Sequence, residues 1–80
     1  MKYLFAGNQT EQRFTLLLSL TSITSEKIID GLRYHLVKGH PLEQAALLAE
    51  VKKNNLSRAV DTLNDAAEIV ETIKEIDGVK

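Results

Sequence analysis

The chain has 80 residues, 44% of them hydrophobic and 26% charged, with a formal net charge of −1. This length suits one small domain whose core is marginal without a partner, and the balance of apolar and charged residues is typical of a globular protein. No cysteine is present, which excludes a disulfide framework, a thiolate metal site and a cysteine nucleophile.

Charge is segregated along the chain. Residues 26–58 hold six Lys or Arg against four Asp or Glu, whereas residues 59–80 hold two against six. Because binding to phosphate depends on clustered cations that release counterions, a weakly acidic total does not exclude a nucleic-acid partner when the cations are grouped. The pattern favours a basic surface in the middle of the chain and an acidic tail elsewhere.

Neither a membrane span nor a secretion signal is indicated. The longest apolar stretch, Phe14 to Leu20, contains Thr15 and Ser19 and is far too short to cross a bilayer. The start of the chain has a brief apolar run without an h-region or a cleavage site. We therefore expect the protein in the cytoplasm.

Helical periodicity predicts an all-α domain of four or five helices over residues 10–80, preceded by a flexible N-terminus over residues 1–9. Thr10 can cap a helix at about residues 11–20, and a cluster of cap-forming residues at 21–25 precedes a second helix at about 26–38. Gly39 is placed to end that helix in the left-handed conformation, and Pro41 suits the first position of the next helix.

Two further helices are predicted, one at about residues 41–50 and one starting near Lys53. The last helix can run unbroken, or it can restart at Asn64 and Asp65 as a fifth helix. Its C-terminal half has coiled-coil-like apolar spacing at Ala66, Ile69, Ile73 and Ile76. This spacing fits either packing on the domain or a dimer seam, and both alternatives stay open.

Residues 45–60 have the apolar spacing of a helix-turn-helix. Ala46 is the small residue that lets the second helix approach, and Val51 is the aliphatic residue tucked in at the turn. Leu56 and Ala59 are expected on the inward face of the second helix. Glu50 stands where such motifs often place glycine to permit a left-handed backbone. The motif is predicted at about residues 41–63.

Cationic and amide side chains occupy the outward positions of this motif, where we expect them to bind DNA through a major groove. They are Lys52, Lys53, Asn54, Asn55, Ser57 and Arg58. The lysines are placed for phosphate, each asparagine could contact a base or cap the helix, and Arg58 is the best candidate for a base contact. Alternatively, Arg58 pairs with Asp61, a contact worth only about 0.2–0.5 kcal/mol.

Groups for catalysis are sparse. The chain has two histidines, His35 and His40, and no glycine-rich phosphate loop. The histidines could meet at a helix end, but a turn or cap position for His40 and a partly exposed helical position for His35 fit better. We therefore expect no enzymatic activity, no bound metal and no cofactor.

Three segments carry a family resemblance. The run Ser22 to Ile29, SITSEKII, contains a Ser-Ile-x-Ser start, and Tyr34 to His40 contains a Tyr-x-x-Val-x-Gly-like helix end. In the helix predicted to start near Lys53, four residues continue the same sequence pattern without a gap: Leu56, Ser57, Val60 and Leu63. With these residues the chain resembles, over Phe14 to Leu63, the PapB-type family of adhesin (fimbrial) operon regulators.

The resemblance implies a small bacterial transcription regulator that binds double-stranded DNA near fimbrial promoters as a homodimer or higher oligomer. The chain departs from the family pattern at Leu56, where an aromatic is usual, and at residues 42–44, where Leu, Glu and Gln replace basic residues. The alternative interpretation is a helical protein–protein interaction module, in which the apolar stripes of the first and last helices dock another protein and no DNA is touched.

Overall fold

A computed structural model describes Leu4 and residues 6–77, and in this part of the chain it contains four α-helices and no strand. They are α1 (Glu11–Ser19), α2 (Glu26–Leu36), α3 (Leu42–Ala49) and α4 (Lys53–Asp77). The predicted all-α class is confirmed, with four helices rather than five among these residues.

Polar side chains cap α1 and α2 as predicted. The Thr10 hydroxyl accepts a hydrogen bond from the backbone N–H of Arg13 at 3.1 Å, and the Ser25 hydroxyl accepts one from the backbone N–H of Ile28 at 3.4 Å. Each cap satisfies a backbone donor that has no partner within its own helix, so the start of both helices is determined locally.

Two predicted helix boundaries need correction. α2 ends at Leu36 rather than at Lys38, because the Lys38 N–H turns back to the carbonyl of Arg33 at 3.0 Å. Gly39 follows with a φ of 88°, the left-handed conformation predicted for it. Pro41 precedes α3 as its N-cap instead of occupying its first helical position.

α4 passes the possible break at Asn64 and Asp65 without interruption. Leu63 and Ala67 are both fully buried, so the same face of the helix stays against the core on either side of that point. The preference of Asn and Asp for helix caps is weak compared with burial of a continuous apolar face, and the helix therefore continues.

The core lies where α1, α2 and α3 meet one face of α4. Its largest fully buried side chains are Phe14, Leu32, Leu36, Leu56 and Leu63. Gly31 on α2 permits this packing, since a Cβ atom there would lie 2.9 Å from Leu56 Cδ1 and 3.3 Å from Ala49 Cβ. α2 can therefore contact α3 and α4 at once, a requirement that the sequence analysis did not identify.

Residues 6–9 lie along the C-terminal end of α2. The backbone N–H of Gly7 donates to the carbonyl of His35, and that of Gln9 donates to the carbonyl of Leu36, each at 3.0 Å. Leu4 is buried and belongs to the core cluster. The predicted flexibility of residues 1–9 stays a prediction; residues 1–3 and 5 of that segment lie outside the described residues.

The 25 residues of α4 span roughly 37 Å at about 1.5 Å per residue, and the longest axis of the molecule measures 43 Å against 22 Å for the other two.

An ion pair of 2.9 Å between Arg13 and Glu71 joins α1 to α4. The hydrogen bond from Arg13, assisted by Lys74, lowers the pKa of Glu71 below its ordinary value of 4.5.

Large apolar side chains of α1, of its C-cap and of the C-terminal half of α4 are half or more exposed. We call them the α1/α4 apolar surface: Leu16, Leu20, Ile69, Ile73 and Ile76. Among residues 6–77, no helix combines the length and the apolarity needed to span a bilayer.

Candidate nucleic-acid interface

The turn between α3 and α4 consists of Glu50, Val51 and Lys52. Glu50 adopts the left-handed conformation with φ 61° and ψ 42°, and the Val51 N–H donates to the carbonyl of Ala46 at 3.0 Å. This bond and the left-handed residue form a Schellman-type end to α3, which redirects the chain into α4. Glu50 thus takes the glycine-like conformation expected at this position.

The four residues predicted to point inward hold the two helices of the motif together. Ala46, Leu56 and Ala59 are buried, while Val51 is half-buried and packs against the core. The predicted inward packing of these four residues is confirmed, and α2 packs against both α3 and α4.

Five of the six predicted site residues are exposed: Lys52, Lys53, Asn54, Asn55 and Arg58. Successive residues of an α-helix are about 100° apart, so Asn54 and Arg58 share one line along α4, whereas Asn55 lies on a flank. In the described part of the chain, the Arg58 side chain forms no ion pair with Asp61. Its guanidinium therefore faces solvent on the outermost line of the helix.

Ser57 differs from the other five. It is half-buried and lines a cavity of about 400 Å³ together with Leu4 and Ala6 of the N-terminal segment and Leu42 of α3. Ser57 therefore lies at the margin of the exposed face, on the side where α4 approaches the N-terminal segment.

Two ion pairs border the exposed face. Lys53 Nζ lies 3.1 Å from Glu43 Oε2, and Lys27 Nζ lies 3.5 Å from Glu50 Oε1. The side chains of the two glutamates are 76% and 78% exposed, so both pairs stand in solvent. Lys27 was not among the predicted site residues, because only the packing of α2 against α3 brings it beside the turn. We call Lys27 and the five exposed site residues the cationic face.

His35 and His40 also meet, but through the backbone. His35 Nδ1 lies 2.8 Å from the carbonyl oxygen of His40, and the His40 ring stands edge-on to Tyr34 with centroids 5.8 Å apart. These contacts fasten the end of α2 to the segment that enters α3. Within the described residues, no group of three or more potential metal-ligating side chains gathers.

A small helical domain with cationic and amide side chains on the outward face of a helix-turn-helix has the architecture of a transcription regulator. The family model of the adhesin biosynthesis transcription regulatory protein, PapB, matches residues 1–76. The chain belongs to this family and is a transcription regulator of the adhesin-operon type, so the resemblance noted in residues 14–63 is confirmed.

Among solved structures, FocB of E. coli is similar in fold. The TM-score is 0.87 at 22% sequence identity, and the match covers 95% of this chain and 86% of that chain. The likeness in fold to FocB therefore covers almost the whole of this chain. No curated protein matches the sequence.

Proposed function

We propose that the chain regulates transcription by binding double-stranded DNA with the cationic face of its helix-turn-helix. The observation that carries this proposal is the orientation of α4. Leu56 is fully buried in the core, while Asn54 and Arg58 are exposed on the opposite side of the helix. A helix held in this way can enter a major groove about 12 Å wide with its outward side chains toward the base edges.

Each of the six predicted site residues has a role that follows from its chemistry. Lys52 and Lys53, at the start of α4, bind phosphate as point charges. Arg58 donates to guanine O6 and N7 or to phosphate, and Asn54 pairs with adenine. The flanking residues Asn55 and Ser57 contact the DNA backbone or base edges at the margin of the groove.

The proposal includes assembly and location. Two or more copies associate through the α1/α4 apolar surface, because five large exposed apolar side chains on a small domain favour association. Recognition helices about 34–36 Å apart in a dimer would fit successive major grooves on one side of a duplex. The protein acts in the cytoplasm and performs no catalysis.

Replacing Lys53 or Arg58 with alanine should weaken binding to a random-sequence duplex. Each lost phosphate contact should reduce the slope of log affinity against log salt by about 0.9, because fewer counterions are released. Fluorescence anisotropy at several salt concentrations measures both quantities. Lys74→Ala removes the same charge from the far end of α4 and is the matched control.

Binding by the unsubstituted chain with no loss in either variant would remove Lys53 and Arg58 from the interface. No binding at low salt would overturn the proposal, because sequence-independent attraction to phosphate should then be visible. That second result would favour the alternative function, in which the α1/α4 apolar surface docks another protein.

A further inference from the structure

Two carboxylates, Glu43 and Glu50, stand beside the cationic face. Resting on the proposed function, we infer that Glu43 competes with DNA phosphate for Lys53 and thereby lowers the affinity of the cationic face for DNA. Glu50 has the same relation to Lys27 and a smaller effect.

The geometry of the Lys53–Glu43 pair makes the competition direct. Lys53 Nζ donates a hydrogen bond to Glu43 Oε2 at 3.1 Å, so the ammonium that would bind phosphate already has an anionic acceptor. Exposed pairs of this kind contribute little to stability, so DNA can open them. Even when the pair is open, Glu43 remains on the first turn of α3, close to the position of a phosphate bound by Lys53.

Glu43 interacts with no other side chain in the described part of the chain, and its own side chain is largely exposed. Its position at the start of α3 also stabilises the helix dipole. That structural contribution affects folding stability and not DNA affinity, so the two roles of Glu43 can be measured separately.

The Lys27–Glu50 pair is longer, at 3.5 Å, and joins α2 to the turn rather than to α4. Lys27 therefore lies at the edge of the cationic face, and we expect Glu50 to have a smaller effect on DNA affinity than Glu43. A unit charge about 4 Å from a phosphate in water changes affinity by about fivefold, and salt screens the effect. We expect the influence of Glu43 to be of this size.

Glu43→Gln should bind a random-sequence duplex about three- to tenfold more tightly at about 0.1 M salt, with a salt slope steeper by up to about 0.9. The matched control is Glu75→Gln, which makes the same change of charge 22 residues along α4 from Lys53. That separation is roughly 33 Å, beyond the Debye length of about 10 Å at 0.1 M salt, so its affinity should equal that of the unsubstituted chain. Circular dichroism confirms that both variants fold.

A double-variant cycle then tests whether Glu43 acts through Lys53. In the Lys53→Ala background the gain from Glu43→Gln should shrink to less than half, because the contested ammonium is absent. An equal gain in both backgrounds would overturn the inference, since it would show general repulsion of DNA rather than competition.

The inference and the proposed function fail differently. If the unsubstituted chain binds DNA and Lys53→Ala weakens binding, but Glu43→Gln behaves like Glu75→Gln, the inference is overturned and the proposed function stands. If the unsubstituted chain does not bind the duplex at all, the proposed function is overturned and the inference with it.

Discussion

Glu50 has a backbone conformation that glutamate rarely adopts. At φ 61° its Cβ approaches its own carbonyl oxygen, at a cost of about 1–2 kcal/mol for an L residue with a side chain. The strain persists because the Val51 N–H can reach the Ala46 carbonyl only if the chain reverses direction here. The packing of α3 on α4 thus maintains a local conformation that the residue itself disfavours.

Comparing alanine with glycine at position 50 isolates this strain, since both substitutions remove the carboxylate and its contact with Lys27. Glu50→Gly should be more stable than Glu50→Ala by about 1 kcal/mol, because only alanine retains the Cβ. Urea denaturation at neutral pH measures the difference. Equal stabilities would show that the turn relaxes when the carboxylate is removed.

At the scale of the elements, α2 positions both helices of the motif. It contacts α3 and α4 together because Gly31 has no side chain where Ala49 and Leu56 approach. The orientation of α4, and with it the direction in which Arg58 points, depends on this close approach. A helix of ordinary residues at the same place would hold α4 further from α2.

Gly31→Ala should lower the free energy of unfolding by about 1 kcal/mol. Overpacking against the buried Leu56 costs about 1–3 kcal/mol, and the better helix propensity of alanine returns about 1 kcal/mol. In a Leu56→Ala background the same substitution should become neutral or stabilising, because the clashing methyl groups are gone. Chemical denaturation of the four chains tests this, and a cost that persists in the double variant contradicts it.

At the scale of the whole molecule, α4 connects two surfaces. Lys53 is the first residue of α4, and Ile73 follows twenty residues later. The two are separated by roughly 30 Å along a continuous helix. The cationic face and the α1/α4 apolar surface therefore lie toward opposite ends of one rigid element. In the proposed assembly, association at one end would leave the other end exposed for DNA.

Ile73→Lys should shift the protein toward the monomer, because a charge placed in an apolar interface opposes association. Sedimentation velocity over a range of concentrations measures the change. Leu47→Lys is the matched control, since Leu47 is 79% exposed on α3 and lies outside the α1/α4 apolar surface. A monomeric unsubstituted chain, or an unchanged dimer of Ile73→Lys, would contradict the proposed assembly.

Features that depend on near neighbours in the chain were predictable. Thr10, Ser25 and Gly39 have the cap conformations expected from their residue types, since capping involves groups within about one helical turn. The inward set of the helix-turn-helix, Ala46 and Leu56 among it, followed from apolar spacing because helical periodicity determines which residues share a face. The fold class followed from the same periodicity, whereas the family was indicated by the resemblance of residues 22–29 and 34–40 and of four residues of α4.

Other features could not be predicted from near neighbours in the sequence. Whether α4 breaks at Asn64 depended on burial against distant helices, and the same packing decided that Leu16 of α1 stays exposed. Ser57 was expected to face outward with Arg58, but it lies at the margin against the N-terminal segment. In each case the outcome depended on contacts with residues distant in the sequence.

The approximate positions of the helices, their caps and the spacing of the helix-turn-helix are local properties, and the order of the amino acids was sufficient to predict them. The approach of Gly31 to Leu56 and the ion pairs of Lys27 and Lys53 join groups that are distant in sequence or belong to different helices. Such contacts arise only when amphipathic helices pack, because burial of their apolar faces determines which outward charges become neighbours. The chain thus specifies the cations, and the fold decides which carboxylates stand beside them.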